Sequence, residues 1–165
     1  MIEVFKTIED KLVKLDHFEN GSWINLNNPS EEEMIKMCNE IKLDPDYVKA
    51  ALDEEESSRI EVDEGNTLIL VDIPIVDGGD KAVNYSTIPL GIIVAHEHIV
   101  TVCLRPNPII QDFIESRVKT FFTFKKTRFI LQLLYRNATK YLQYLKQIDK
   151  ESSRIEAELH KSMKN

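Results

Sequence analysis

The chain has 165 residues, 42% of them apolar and 30% charged, enough for one domain with a real core and too apolar for a disordered chain. Its formal charge of −7 is unevenly spread: Met1 to Ser116 holds 24 acidic and 9 basic residues, a balance of −15, whereas Arg117 to Asn165 holds 4 acidic and 12 basic, a balance of +8. This excludes a uniformly basic phosphate-binding protein and predicts an acidic α/β body over 1–116, which concentrates cations, followed by a basic helical extension over 117–165.

Ile2 and Val4, then Leu12, Val13 and Leu15, flank a turn-like Glu9-Asp10 and predict a small hairpin. Trp23 to Leu26 reads as another strand, stopped by Asn27-Asn28-Pro29. Ser30 and Glu33 have the spacing of a capping box, so a helix begins there and packs the side carrying Met34, Ile35, Met37, Cys38 and Ile41 inward. The run Glu31-Glu32-Glu33 lies in its first turn, where the helix dipole favours negative charge, and needs no metal to explain it. Asp44-Pro45 starts a second helix, which reads as ending in Asp53-Glu54-Glu55-Glu56.

From Arg59 the period changes to two. Ile60 and Val62 precede a turn at Asp63 to Asn66, and a strand from Thr67 to Val76 follows. Pro74 predicts that this strand lacks one neighbour near its end, and Asp77-Gly78-Gly79-Asp80 reads as a flexible loop. Tyr85 to Ala95 and Ile99 to Leu104 form a nearly continuous apolar hairpin across His96-Glu97-His98. The middle of the chain is thus a sheet covered by helices. Asn107-Pro108 caps a further helix, and a long helix runs from about Lys126 to Ser162. Along it Leu131, Ala138, Leu145, Ser152 and Leu159 repeat every seven residues, with Leu134, Tyr141, Ile148 and Ile155 in the complementary register. A helix of that length must protrude or pack on another chain.

Cys38 and Cys103 have no metal-ligand spacing and read as reduced core residues. The N-terminus carries no signal-peptide pattern, which makes the cytosol the expected compartment. The longest apolar runs fall far below the roughly 18 to 20 residues of a membrane-spanning helix. No nucleophile elbow, phosphate loop, zinc spacing or nucleotide fingerprint occurs, so neither enzyme chemistry nor an organic cofactor is expected.

The candidate metal ligands are Asp53 and Glu56, which would share a helix face and meet a hydrated divalent cation through water; a solvated acidic helix end is the alternative. His96 and His98 would point the same way on a strand, but no third ligand is near in sequence and a polar turn explains them. Asp72 reads as either a buried acid or an exposed edge residue. The basic residues of the long helix, among them Arg128, Arg136, Lys140 and Lys146, do not alternate with aromatics as a base-stacking platform does, so no nucleic-acid partner is expected. They suit the acidic face of an adjacent subunit.

Several segments resemble the soluble domain of the CorA family of magnesium transporters. They are Trp23-Ile24-Asn25-Leu26 before Pro29 and an acidic helix start; Leu52-Asp53 before Arg59-Ile60-Glu61; Tyr85-Ser86-Thr87-Ile88-Pro89-Leu90-Gly91; Ile99-Val100-Thr101-Val102; and Tyr141-Leu142, Leu145 and Ile148-Asp149. Their order and spacing over about 22–104 carry the likeness. The resemblance implies a mixed sheet between helical layers, an αβα sandwich with a long protruding C-terminal helix, then a pair of long antiparallel helices and a stalk helix leading to two membrane spans. It also implies homopentamers around a central pore, with Mg2+, or cobalt, nickel or zinc, as transported or regulatory ion. The family's Gly-Met-Asn signature and both spans are missing here, so the chain is expected to be a soluble fragment from the cytoplasmic side of the membrane. Lys49-Ala50 and Tyr135 stand where many members carry acidic residues, so that family's ion clamp is not carried over. The other reading is a stand-alone interaction module built on the heptad helix.

Overall fold

In the computed structural model, which describes residues 1–79 and 82–164, the chain opens with the antiparallel strands β1 (Ile2–Ile8) and β2 (Lys11–Leu15). Glu9 and Asp10 join them with φ of 48° and 63°, the positive values of a two-residue hairpin turn whose twist matches its strands. After β3 (Trp23–Asn27) comes α1 (Glu31–Ile41), capped as its sequence requires. The Glu33 amide donates to Ser30 Oγ at 3.1 Å, and the Ser30 amide donates to the Glu33 carboxylate at 2.9 Å.

The Asp44 side chain accepts from the Asp46 amide to cap α2 (Pro45–Ala51), which is shorter than expected. It does not continue through Asp53 to Glu56, because the Asp53 carboxylate accepts the Glu55 amide at 3.0 Å, a local turn that competes with helix.

The next strands are β4 (Arg59–Asp63), β5 (Asn66–Gly79), β6 (Ala82–Ala95) and β7 (His98–Cys103). With the first three they form one seven-stranded sheet in the order β2-β1-β3-β7-β6-β5-β4, in which only β3 and β7 run parallel. Asp77, Gly78 and Gly79 are not a loop: they continue β5 opposite Asn84, Val83 and Ala82, while Asp80 lies outside the described residues. β4 pairs with β5 only as far as Leu70, so Pro74 stands where β5 has β6 alone beside it, a place that tolerates a residue without an N–H.

Helices cover both faces of the sheet. On one side α1 and α2 enclose Met37, Cys38, Tyr47, Val48 and Ala51 against Ile24, Leu26, Leu68, Leu70, Ile93 and Val100. On the other, α3 (Pro108–Ile114) and the first turns of α4 (Lys126–Met163) bury Ile109, Phe113, Phe129 and Leu133 against Trp23, Ile73, Leu90, Ile92 and Ile99. Trp23 is fully buried, with ring centroids of Phe5 and Phe129 each 5.1 Å away and its Nε1–H donating to Thr101 Oγ1 at 2.8 Å.

The 38 residues of α4 extend about 57 Å at 1.5 Å per residue. Its body-facing seam is Phe129, Leu133 and Asn137, with Tyr141 donating its hydroxyl to the Asp72 carbonyl at 3.0 Å. From Leu145 to Lys164 every residue is exposed, so the helix protrudes as its length requires. The step in charge at residue 117 is not a step in packing, since Val118, Phe121, Phe129 and Leu133 all join the core.

Candidate functional site

Where α2 ends and β4 begins, the chain forms a cleft of about 440 Å3 lined by Asp44, Asp46, Tyr47, Lys49, Ala50, Asp53, Glu56, Arg59, Glu61, Asp63 and Leu68. Local rules explain how these side chains converge. Asp44 is there as a helix cap, and Asp46, Lys49 and Ala50 lie on the turns it starts. Arg59, Glu61 and Asp63 arrive from alternate positions of β4, which point to one face of the sheet. Asp53 and Glu56 sit on the turn between them, so they share the cleft without sharing a helix face.

Six carboxylates therefore face two cations, and most already have a partner. Arg59 bridges Glu56 and Glu61, the second at 3.4 Å, and the Glu56 bond first, then Glu61, holds its guanidinium above its ordinary range. Lys49 Nζ lies 3.3 Å from Asp46, and Asp53 accepts the Glu55 amide. Among the described residues Asp63 makes no ion pair. Burial pushes the Tyr47 phenol up, and the carboxylates of Asp63, Glu61, Asp44 and Glu64 add to the effect.

The cleft offers hard oxygen donors and no sulfur or free imidazole, a set that suits hydrated Mg2+-like cations over softer metals. Its donors are dispersed: among the described residues no group of three or more His, Cys, Asp or Glu side chains is placed to hold a metal ion directly. Contact through water is the chemistry this spacing allows. Of the residues singled out by the resemblance, Lys49 and Ala50 line the cleft, whereas Tyr135 lies exposed on α4. Asp44, Asp46, Glu61 and Asp63 were not foreseen as part of the site. Alternation along β4 and the capping Asp44 were the available signals, but their convergence depends on how β4 lies beside α2.

The two histidines do not converge. His96 is in the turn between β6 and β7 with φ of 45°, while His98 opens β7, is buried, and has its Nδ1 3.1 Å from Ser22 Oγ. Around them the Gly21 amide donates to the Glu97 carbonyl at 2.8 Å and the Thr123 hydroxyl to the Gly21 carbonyl at 2.8 Å. Lys126 Nζ donates to the His96 carbonyl. This cluster ties the sheet to the root of α4. Asp72 is half-buried on β5, and its carbonyl accepts from Asn137 Nδ2 and the Tyr141 hydroxyl at 3.0 Å each.

Residues 19–165 match the family model described as CorA-like Mg2+ transporter protein. No curated protein matches the chain. Among solved structures, the complete CorA magnesium transporter from Methanocaldococcus jannaschii matches with a TM-score of 0.76 at 21% identity, over 96% of this chain and 51% of that one. The soluble domain of CorA from the same organism gives 0.79 at 23% identity, over 96% and 64%. The ZntB cytoplasmic domain from Vibrio parahaemolyticus RIMD 2210633 gives 0.68 at 12% identity, over 90% and 62%. At these identities the structures show a shared fold, and the chain spans between half and two thirds of each.

Proposed function

Because the chain belongs to the CorA-like Mg2+ transporter family, we propose that it is the regulatory, cytoplasmic part of a transporter or channel for a divalent cation, magnesium or else cobalt, nickel or zinc. The match of residues 19–165 to that family carries the reading. The fold shared with the archaeal CorA soluble domain over 96% of the chain supports it. Among the described residues no helix is long and apolar enough to cross a membrane, so the pore would belong to segments other than these.

In this reading copies assemble as a homopentamer, and the domain converts ion occupancy into movement of the helix that continues toward the membrane. The cleft is the proposed meeting place for the ion, with Asp53 and Glu56 contacting its water shell. Its excess of carboxylates is self-repelling, and a divalent cation relieves that repulsion. A state that brings the carboxylates closer is then favoured when the ion is present. Lys49 and Arg59 already neutralise part of the charge, so occupancy should be weak and salt-sensitive.

Flux of each cation into liposomes holding the complete gene product tests the transport reading. Uptake of at least one supports it; no uptake of any of the four leaves the helix-based interaction module in its place. Calorimetric titration of this chain with MgCl2 tests the cleft separately. Heat lost in an Asp53→Asn/Glu56→Gln variant assigns binding there, and unchanged heat removes the site.

A further inference from the structure

β5 and β6, 14 residues each, outrun the strands beside them. β4 pairs with β5 only from Asn66 to Leu70, and β7 pairs with β6 only from Leu90 to Ala95. Beyond those limits the two strands pair only with each other, so residues 71–79 and 82–89 form a two-stranded ribbon, a structure that is marginal in water when it stands alone. Its root is secured by Ile73 and Ile88, which lie opposite each other and are buried. Farther out Val76 and Val83 are exposed, so burial does not hold that end.

α4 supplies what the missing strands do not. Asp72 lies two residues past the last pair with β4, and its carbonyl accepts from Asn137 Nδ2 and the Tyr141 hydroxyl at 3.0 Å each. Tyr144 continues the same side of the helix, since positions 137, 141 and 144 follow the spacing of one helical face. Its ring centroid is 5.5 Å from that of Tyr85, which stands opposite Val76 on the ribbon. The Tyr85 hydroxyl donates to Gln147 Oε1 at 2.8 Å, and among the described residues this is the outermost hydrogen bond between sheet and helix.

We propose that Tyr85 and the Tyr144–Gln147 turn form a latch, whose opening frees the end of the ribbon and α4 from Leu142 outward as a single event. Neither partner is self-sufficient: the ribbon has no flanking strand, and a helical segment without packing barely offsets the entropy of ordering it. The contact supports both at once, so losing either side withdraws support from the other. An aromatic pair and an exposed hydrogen bond form a modest tie, which opens while the core around Phe129, Leu133 and Ile73 stays closed. The exposed length of α4 is a lever on this tie, because a displacement of its outer end meets the body first at Tyr85. The latch follows from these contacts and does not rest on the transport reading.

Amide hydrogen exchange of the chain, resolved by peptide, tests it with substitutions on each side: Tyr144→Ala on the helix, Tyr85→Ala on the ribbon, and the two combined. Loss of the aromatic pair should speed exchange roughly two- to tenfold in both 83–87 and 142–148, whichever element carries the change. Alanine is a better helix former than tyrosine, so faster exchange in α4 reports the lost contact and not propensity. The double variant should exchange no faster than the faster single one. Tyr85→Phe, which keeps the ring and removes the hydroxyl, should give a smaller change in the same two segments. Lys146→Ala, at an exposed neighbouring position, should leave both as in the parent. Peptides over Phe129 to Leu133 should keep the parent's protection throughout. Faster exchange confined to the substituted element, unchanged exchange in both, effects that multiply in the double variant, or protection lost at Phe129 as well would each overturn the proposal.

Discussion

Trp23 shows how one side chain can be both filler and connector. It is fully buried among Phe5, Phe113, Phe121 and Phe129, and its indole N–H continues through Thr101 Oγ1 to Asn25 Oδ1. Trp23→Ala should lower the unfolding free energy by about 4 kcal/mol in urea titration, the usual cost of emptying a large aromatic site. His98 acts through its charge. Burial first and Lys126 second hold its imidazole below the ordinary value, with His96 adding slightly and Glu97 opposing. An unfolded histidine titrates near about 6.5, so the unfolded chain binds the proton more readily. Stability is therefore intact above that pH and declines as pH falls toward the lower folded value. His98→Gln should flatten this part of the stability-versus-pH curve relative to the parent; an unchanged difference between the two across about pH 7.5 to 5 would show that the histidine is not strained by protonation.

Elements with local signals were legible in the sequence. The capping box at Ser30 and the Asp44-Pro45 and Asn107-Pro108 starts are built within four residues, and each opens a helix where expected. Ser30→Ala should cost about 1 kcal/mol by removing the acceptor for the Glu33 amide, measurable by thermal unfolding. The end of α2 was not legible, because helix and Asx-turn compete at Asp53 with similar local energies. Nor was the strand character of Asp77 to Gly79, which depends on pairing with β6 and not on their own preferences. Packing between elements is equally hidden: a Cβ on Gly91 of β6 would sit 2.4 Å from Ala51 Cβ on α2. Gly91→Ala should therefore push α2 off the sheet and cost roughly 1 to 3 kcal/mol, whereas Gly78, which has open space around it, should accept alanine without that penalty.

At the scale of the molecule, charge and packing divide the chain in different places. The sequence changes sign at residue 117, but the sheet and helix core runs on through Leu133, and the break in contact comes only near Leu145. The sign of a residue says where it meets water, and an amphipathic helix meets water on one side wherever it lies, so composition could not mark the point at which α4 leaves the body. The heptad stripe is split by the body: Leu131, Leu145, Ile155 and Leu159 are exposed, whereas Tyr141 of the same stripe joins the side of the helix on which Phe129, Leu133 and Asn137 meet the core, a seam the stripe masked. These two stretches of one helix should differ in stability. The first is held by the aromatic core, the Asn137 and Tyr141 bonds to Asp72, and the Tyr85 hydroxyl donating to Gln147. Among the described residues the last has only surface pairs such as Arg154 with Glu158, which solvent and salt screen. Amide hydrogen exchange should accordingly show protection close to the global value through Tyr141 and a steep fall beyond Ile148. Trypsin should cut first at Lys150, Arg154 or Lys161. Uniform protection to Met163 in a chain shown to be monomeric would mean that the protruding half is held by something other than the body, and the picture of a helix that outruns its core would have to be abandoned.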